Sequence, residues 1–388
     1  MPENRQMSDA DTQPLLPELA LPRDAQSGVW PAQRLKAALA RGEIQTIEPL
    51  DSQQVQPASI DLRLGPVAYE IAASFLPGPQ LTVQDKLPLV TQRKISLENG
   101  AVLKTGHVYL APLMEKLQLR KRSSGVANPK SSTGRLDVFC RVITDYGVEF
   151  DQIPERYTGP LWLEIAPRSF HVKVRQGSRL SQLRLKTGTP PSSNAFIRRL
   201  DEEVRIVRDE DGPANVKDGA IALSVDISAS GGSDLIGYKA RKVSEEIDID
   251  KIGHYDVDTF WERVYRPREG GLILHPDEFH ILATKEKVAV PDYLAADMVA
   301  YDTMVGEFRV HYAGFFDPGF GYTDGIAEGS KIVLEVRAHE VPFMVEHGQI
   351  VGRVTVERLT HPTDAPYGGA IGSNYHRQSL TLGKQFKR

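Results

Sequence analysis

The chain has 388 residues, a length that suits roughly two to three ordinary domains. Its 47 basic and 51 acidic residues nearly cancel, so composition gives no reason to expect nucleic-acid or anionic-membrane binding. No apolar run approaches the roughly 20 residues that span a bilayer, and the N-terminal residues lack a signal peptide's apolar core. The single cysteine, Cys140, excludes an internal disulfide and a cysteine-rich zinc cluster. We therefore expect a soluble, cytoplasmic protein.

In chain order, residues 1–27 are polar and rich in Asp, Gln and Pro, which predicts a disordered N-terminal arm. The segment 30–43 predicts a short amphipathic helix that begins at Pro31 and ends at Gly42. Beyond it, short segments of alternating apolar and polar residues are separated by Gly, Pro, Asn or Asp. We therefore expect a mainly β fold, a barrel or sandwich, with few short helices.

An internal repeat is the most informative structural feature of the sequence. Residues 106–119 align with 277–290, and residues 161–185 align with 332–356. Both blocks have the same offset of 171 positions, as the pair Glu164 and Glu335 shows. Two separate blocks at one offset are hard to obtain by chance, so the sequence predicts a duplicated chain.

The repeat also sets the expected domain boundaries. A first domain covers 28–186 and a second covers 266–388. The stretch 187–265 has no counterpart in either, and its apolar alternation argues against a low-complexity linker. We predict that it forms a connecting subdomain.

A first candidate site is the sequence AsnProLysSerSerThrGlyArg at 128–135, which precedes an apolar run. Hydroxyls and backbone N–H groups of Ser131 and Ser132 suit phosphate oxygens, while Arg135 offers a planar fork and Lys130 a point charge. The alternative is that the segment is an ordinary turn, because Ser, Thr and Gly are common turn residues.

A second candidate is Asp317-Pro-Gly, a turn signal that is followed by the apolar strand containing Glu335. Glu335 lies between Leu334 and Val336 and points to the opposite face from them. If that face is exposed to solvent, Glu335 has no special role. If it lines a cleft, burial would raise the carboxyl pKa toward neutrality, as a general acid or base requires.

Together, GlnProAlaSerIleAspLeuArgLeuGly at 56–65, the loop at 130–135 and the Asp-Pro-Gly strand closely resemble the deoxycytidine triphosphate deaminase family. The resemblance is to a two-domain branch of that family, which shares the trimeric dUTPase fold. It implies two tandem dUTPase-like β-barrel or jelly-roll domains and a homo-oligomer, with dCTP as partner and neither nucleic acid nor membrane.

The resemblance also implies site residues. It assigns the triphosphate to Lys130, where Arg is usual, and to Ser131, Ser132 and Arg135, and it assigns the sugar and base to Ala313 and Asp317. It makes a glutamate the proton shuttle, matching Glu335 and, in the first repeat, Glu164. The C-terminal segment over the phosphates would supply Tyr367 and Gln378, whereas Asn374 replaces a lysine of the family.

The two domains have lost different parts of this site. The first keeps the phosphate loop but has no Asp-Pro-Gly, and the second keeps Asp-Pro-Gly but lacks paired serines at 300–308. Complementary losses favour one site shared between the domains. The alternative is a ring of first domains with Glu164 as the catalyst, because two domain types cannot fill three positions evenly.

The function that follows from the resemblance is hydrolytic deamination of dCTP to dUTP and ammonia. A Glu would move the protons without zinc, since one cysteine cannot form the His/Cys set of the zinc deaminases, and Mg²⁺ would arrive with the triphosphate. The alternatives are a dUTP diphosphatase, a bifunctional dUMP-forming deaminase, and a non-catalytic nucleotide-binding or assembly protein.

Overall fold

The computed structural model describes residues 27–51, 53–190, 193–208, 212–228, 233–299, 308–310, 314–338, 340–368 and 380–388. The predicted arm at 1–27 lies almost entirely outside these ranges, as do Ala313, Asn374 and Gln378. We call residues 27–190 the first half and residues 193–388 the second half. Strand residues far outnumber helix residues, so the prediction of a mainly β fold is confirmed.

The described helices are α1 Ala32–Ala40, α2 Val83–Val90, α3 Ser131–Gly134, α4 Asn194–Val204 and α5 Val257–Phe260. The first-half strands are β1 Gly28–Val29, β2 Ile44–Thr46, β3 Ile60–Arg63, β4 Val67–Ile71, β5 Thr91–Ser96, β6 Ala101–Leu103, β7 Val108–Gln118, β8 Ser123–Pro129, β9 Val138–Thr144, β10 Gln152–Ile153, β11 Thr158–Pro167, β12 His171–Val174 and β13 Arg179–Thr187. The second-half strands are β14 Val207–Arg208, β15 Val216–Lys217, β16 Ala220–Ser224, β17 Leu235–Ala240, β18 Glu246–Asp248, β19 Trp261–Tyr265, β20 Leu272–Leu274, β21 His280–Val288, β22 Leu294–Val299, β23 Phe308–Val310, β24 Phe315–Phe316, β25 Tyr322–Thr323, β26 Ile326–Ala327, β27 Ser330–Ala338, β28 Phe343–Val345 and β29 Ile350–Arg358.

Helix α1 forms where the sequence predicts it. Pro31 is its N-terminal flanking residue, and Gly42 follows its end with a φ of 72°. Leu35 and Ala38 are buried, so the apolar stripe packs on the core as an amphipathic helix requires. Helix α2 was not predicted, and it begins with a capping box in which the hydroxyl and backbone of Thr82 exchange hydrogen bonds with Asp85.

The duplication is visible in the strand register. Strands β7 and β11 pair so that Glu164 lies opposite Leu110, and β21 and β27 pair so that Glu335 lies opposite Ile281. The pairing of β8 with β13 is repeated by β22 with β29 at the same 171-residue offset. The two glutamates therefore occupy equivalent positions in equivalent sheets.

Each half contains two main sheets. In the first half these are β1-β13-β8-β10, with β3 on β13, and β5-β4-β7-β11-β9, with β2 on β7. The second half has β15-β16-β29-β22-β24 and β19-β17-β21-β27-β23, with β14 on β21. A smaller sheet, β18-β12-β6, joins the halves because β18 runs parallel to β12.

The stretch 187–265, predicted as a connecting subdomain, contributes strands to these sheets. Strands β14, β16 and β17 pair with second-half strands, and β18 pairs with the first half. In the residues described, the stretch therefore contributes strands to sheets of both halves, and its role as a connecting subdomain stays a prediction. The exact domain boundaries stay a prediction.

The hydrophobic core of the first half is completed by residues far along the chain. Trp261, Phe279 and Phe386 are buried in the same cluster as Leu163 and Phe170. A second cluster fills the second half, between β16, β21, β22 and β27. The described residues include no helix long and apolar enough to cross a bilayer.

Candidate active site

A cavity of about 650 Å³ lies between the two halves. Its walls combine sequence-predicted residues of the first half with those of the second. They include Lys130, Ser131, Ser132, Arg135, Asp317, Glu335 and Tyr367. The fold thus brings together every predicted site residue that the structure describes, with the exception of Glu164.

The predicted phosphate loop is a single helical turn, α3, at the end of β8. The Lys130 N–H donates to the Leu180 carbonyl at 2.9 Å, and the Thr133 hydroxyl donates to the same oxygen at 2.8 Å. The Lys130 ammonium forms an ion pair with Asp61, and Arg179 lies 3.7 Å from the same carboxylate oxygen. The loop is therefore fixed at its backbone, and its cations face the cavity.

Arg135 connects the phosphate loop to the rest of the cavity. Its side chain is buried, its Nη1 donates to the Thr381 carbonyl at 2.9 Å, and its Nε lies 3.9 Å from Glu335 Oε1. A guanidinium at this distance favours the ionised form of the carboxyl group.

Glu335 lies in β27 and is buried on the cavity wall. Burial raises the pKa of this carboxyl to about 8, and the nearby Arg135 guanidinium opposes that shift only in part. A carboxyl whose pKa lies near neutral pH can both accept and return a proton. Glu335 therefore lines a cleft and has a raised carboxyl pKa, as a general acid or base requires.

Asp317, from the Asp-Pro-Gly turn, is held by a first-half residue. Arg184 in β13 donates from Nη2 to Asp317 Oδ1 at 2.9 Å, and its guanidinium lies 4.1 Å from the ring centre of Phe315. Arg184 also pairs with Asp297. Burial raises the pKa of Asp317, while Arg184 opposes this rise.

Arg184 was not singled out from the sequence. In the structure its side chain is only 1% exposed. The available signal was an arginine between two leucines in the predicted strand segment LeuSerGlnLeuArgLeu. Its partners lie more than 100 positions away, so no local pattern identifies them.

Tyr367 lies beside the turn that carries Asp317. Its backbone N–H donates to the Pro318 carbonyl at 2.7 Å, and its ring centre lies 6.1 Å from that of Phe320. Ala313 and Gln378, the other residues predicted for the second half, lie outside the described residues.

Several further residues of the cavity wall were not singled out from the sequence. Asp61 comes from β3 and Arg179 from β13, whereas Asp250 comes from the stretch 187–265. Lys384 reaches the cavity from the C-terminal segment. Cations and carboxylates from four distant parts of the chain therefore surround the phosphate loop.

Glu164 occupies a different environment from its counterpart Glu335. It is buried, it does not line the cavity, and its Oε1 accepts hydrogen bonds from Arg141 Nε at 2.9 Å and Nη2 at 2.5 Å. The Arg141 guanidinium lies 3.5 Å from the ring centre of Phe150 and also donates to Ser74. An arginine of the chain itself thus fills the space beside Glu164.

Two family models and several known proteins match this chain. The family model described as the 2′-deoxycytidine 5′-triphosphate deaminase (DCD) N-terminal domain matches residues 26–189, and the C-terminal domain model matches 193–386. A protein of Salinispora arenicola named "dCTP deaminase, dUMP-forming" is 28% identical over 181 residues, which is 45% of this chain and 90% of that protein. One of Methanobrevibacter smithii with the same name is 33% identical over 134 residues, which is 34% of this chain and 65% of that protein.

A solved structure is similar over most of the chain. The crystal structure of 2′-deoxycytidine 5′-triphosphate deaminase from Agrobacterium tumefaciens matches with a TM-score of 0.82 and 49% sequence identity. The match covers 86% of this chain and 99% of that chain. The similarity therefore extends over both halves.

Proposed function

This chain belongs to the 2′-deoxycytidine 5′-triphosphate deaminase family and deaminates dCTP, and we propose that the reaction takes place in one site shared by its two halves. In this proposal the first half binds the triphosphate through Lys130, Ser131, Ser132 and Arg135. The second half holds the sugar and base and supplies the proton shuttle.

A single observation carries the proposal: the cavity between the halves contains the phosphate loop and Glu335, and it does not contain Glu164. Glu164 is engaged by Arg141 instead. A ring of first halves would require Glu164 to face a substrate. In the structure, the Arg141 guanidinium lies beside the Glu164 carboxylate, where that substrate would have to lie. The complementary losses seen in the sequence support the same choice.

The proposed chemistry follows from the pKa of Glu335. At neutral pH a carboxyl with a pKa of about 8 begins mostly protonated, so it can donate its proton to N3 of the cytosine ring. The carboxylate then accepts a proton from the water that attacks C4 and passes it to the departing amine. The C4–N bond breaks and ammonia leaves. The hydroxyl on C4 then returns its proton to the Glu335 carboxylate, which gives a uracil ring and restores the protonated carboxyl group.

The Asp-Pro-Gly turn at 317–319, which we call the base loop, has a positioning role in this scheme. Asp317 is tied by Arg184 to the first half, so the turn that would hold the sugar and base keeps a fixed distance from the phosphate loop. Fixed placement of the base against Glu335 supplies the proximity that a two-reactant step needs.

We propose that Mg²⁺ enters with the triphosphate and that zinc takes no part. Asp61, which faces the cavity beside Lys130, offers the hard oxygen ligands that Mg²⁺ or its water molecules prefer. When bound, the ion would neutralise part of the phosphate charge. Dialysis against EDTA followed by titration with Mg²⁺ should raise the apparent affinity for dCTP.

The proposed product is dUTP. The alternative, dUMP with pyrophosphate, is favoured by the names of the two relatives described above, which are called dUMP-forming. Asp317 is held by Arg184 in the structure, whereas a second hydrolysis would need a carboxylate that directs water at the α-phosphate. Chromatography of the products distinguishes the two, since only the second reaction releases pyrophosphate.

The location and assembly of the enzyme also remain proposals. We propose a cytoplasmic homo-oligomer, because the substrate is a nucleotide and the sequence resemblance implies the trimeric dUTPase fold. Light scattering of the purified protein would give the oligomeric state, and a monomer would contradict this part of the proposal.

The test of the shared site compares two matched substitutions, Glu335→Gln and Glu164→Gln. Glu335→Gln should lower kcat for ammonia release by at least about 10²–10⁴-fold, because the amide cannot accept a proton. It should still bind dCTP, because the amide keeps the shape of the side chain. Glu164→Gln should remain active. The opposite pattern would favour a ring of first halves, and binding without turnover in the unmodified chain would favour a non-catalytic nucleotide-binding protein.

A further inference from the structure

A buried ion pair joins the two halves beside the cavity. Arg337 of β27 pairs through Nη2 with Oδ2 of Asp137, which lies between α3 and β9. Arg337 Nε lies 3.4 Å from the other carboxylate oxygen, Oδ1, so the guanidinium spans both oxygens. The side chains are only 9% and 1% exposed. A two-point contact of this kind fixes orientation as well as distance.

The first-half end of this pair is attached to the phosphate loop. The Asp137 N–H donates to the Gly134 carbonyl of α3 at 2.8 Å, and the Asp137 carbonyl accepts from the Arg168 N–H at 3.0 Å. The Ser169 hydroxyl donates to Asp137 Oδ2 at 2.6 Å and accepts from Arg337 Nη2 at 3.1 Å. Asp137 is therefore held between the phosphate loop and the connection from β11 to β12.

The second-half end of the pair lies in the same strand as the proposed proton shuttle. Arg337 follows Glu335 by two positions in β27, so the two side chains lie on the same face of the strand. On the other side of the contact, Asp137 follows Arg135 by two positions. The gap of 3.9 Å between Arg135 and Glu335 is too long for a hydrogen bond, whereas Arg337 is hydrogen-bonded to Asp137. The ion pair is therefore the tighter of these two contacts between the phosphate loop and β27.

The pair acts at a distance from the substrate. Neither Arg337 nor Asp137 lines the cavity. The Arg337 guanidinium lies 5.7 Å from the ring centre of Phe279. Burial lowers the pKa of the neighbouring His280 to about 3, so that ring is neutral near pH 7 and adds no second positive charge beside Arg337. Any effect of the pair on the reaction must therefore pass through the residues that it holds.

We propose that Arg337 is a positioning residue for the deamination: its ion pair with Asp137 fixes β27 against the phosphate loop and so places the Glu335 carboxyl against the bound base. The inference rests on the proposed shared site, in which Glu335 moves the protons. Proton transfer needs heavy atoms within about 2.6–3.2 Å of each other. A misplacement of about 1 Å costs on the order of 10²-fold in rate. Loss of the pair should therefore slow the chemical step, while the residues that bind the nucleotide keep their places.

The decisive variant is the double substitution Arg337→Met with Asp137→Asn. Arg337→Met alone would leave a buried carboxylate without its arginine, which threatens folding. The double variant removes both charges, and Asn is among the residues that best tolerate the φ of 55° at position 137. Arg337→Lys keeps the positive charge. Lys186→Met is the matched control, because Lys186 also joins the halves, through Glu357 at 3.1 Å, and does not line the cavity.

Single-turnover rates of ammonia release from dCTP, measured on full-length variants that urea titration shows to be folded, report on the chemical step. The double variant should be slower by about 10–10²-fold. Arg337→Lys should recover most of that loss, and Lys186→Met should react at the normal rate. Calorimetry in a Glu335→Gln background, where dCTP is not consumed, should give affinities that agree within about threefold with and without the pair.

A normal single-turnover rate in the folded double variant would overturn the inference, since the pair would then only stabilise the fold. A loss of dCTP affinity as large as the loss of rate would also overturn it, because the pair would then act on binding. Both results would leave the proposed site standing. Full activity of Glu335→Gln would instead refute the proposed site, and this inference with it.

Discussion

At the scale of single residues, the environment of Glu335 decides what its carboxyl group can do. The same residue type at the equivalent strand position, Glu164, is bound by Arg141, whereas Glu335 faces a cavity with Arg135 at 3.9 Å. Burial without a hydrogen-bonded cationic partner raises a carboxyl pKa. Ionisation of the buried carboxyl therefore lowers the stability of the folded state.

This cost predicts a pH-dependent difference in stability between the unmodified chain and Glu335→Gln. The folded pKa of about 8 lies above the ordinary value of 4.5, so ionisation favours the unfolded state. The free energy of unfolding of the unmodified chain should fall relative to Glu335→Gln as the pH rises from about 4.5 to about 8, and should level off above it. The total difference should reach a few kcal/mol, on the order of 1.4 kcal/mol for each pKa unit.

Urea denaturation at a series of pH values, without nucleotide, measures this difference. If the two proteins kept a constant difference in unfolding free energy across that range, the carboxyl of Glu335 would not have a raised pKa in the fold.

A second prediction at this scale concerns the phosphate loop. Ser131→Ala and Arg135→Ala should weaken dCTP binding, because each removes hydrogen-bond donors to a charged phosphate, worth roughly 1.5–3 kcal/mol per bond. Arg135→Ala should have the larger effect, since Arg135 also holds Thr381. Calorimetry in a Glu335→Gln background, where dCTP is not consumed, gives the affinities. Unchanged affinity in both variants would show that the loop is only a turn.

At the scale of elements, strand β13 of the first half positions a loop of the second. Arg184 in this strand contacts Asp297 of β22 and Asp317 of the base loop. All three side chains are mostly buried, and this guanidinium is the main charge partner of both carboxylates. The pKa of Asp297 is raised to about 6 by burial even with Arg184 beside it.

Arg184→Met should therefore destabilise the protein by about 3–5 kcal/mol, because two buried carboxylates lose their partner. Adding Asp297→Asn and Asp317→Asn should restore part of that loss, since no unpaired charge is then buried. Lys186→Met is the matched control: Lys186 lies in the same strand and pairs with Glu357 at 3.1 Å near the surface.

Such a surface pair is worth about 1 kcal/mol or less. Unfolding free energies from urea titration give the comparison. A loss for Arg184→Met no larger than that for Lys186→Met would contradict the role assigned to Arg184.

At the scale of the whole molecule, both parts of the site come from one chain. The cavity is formed by residues of a single copy, and the halves share the first-half core through Trp261, Phe279 and Phe386. In the proposed shared site, duplication therefore replaces an assembly between subunits with an assembly inside one chain.

This arrangement predicts the outcome of mixing two inactive variants. Arg135→Ala damages the phosphate loop and Glu335→Gln removes the proton shuttle, so neither variant alone should turn over dCTP at an appreciable rate. Co-expression should not restore activity, because each chain still carries one defective half of its own site. Recovery of a substantial fraction of normal activity in co-purified mixed oligomers would show that the phosphate loop of one chain serves Glu335 of another.

The sequence by itself determined the repeat, the mainly β character and the two loops, because these depend on local residue patterns and on one constant offset. It also limited the proton shuttle to Glu335 or Glu164. Only the tertiary structure shows that the surroundings of these two glutamates differ, since strand register gives them equivalent positions while Glu164 contacts Arg141 and Glu335 faces a cavity. Arg184 and Lys384 were found in the same way: ion pairs and cavity walls join residues more than 100 positions apart, and no local pattern encodes such contacts.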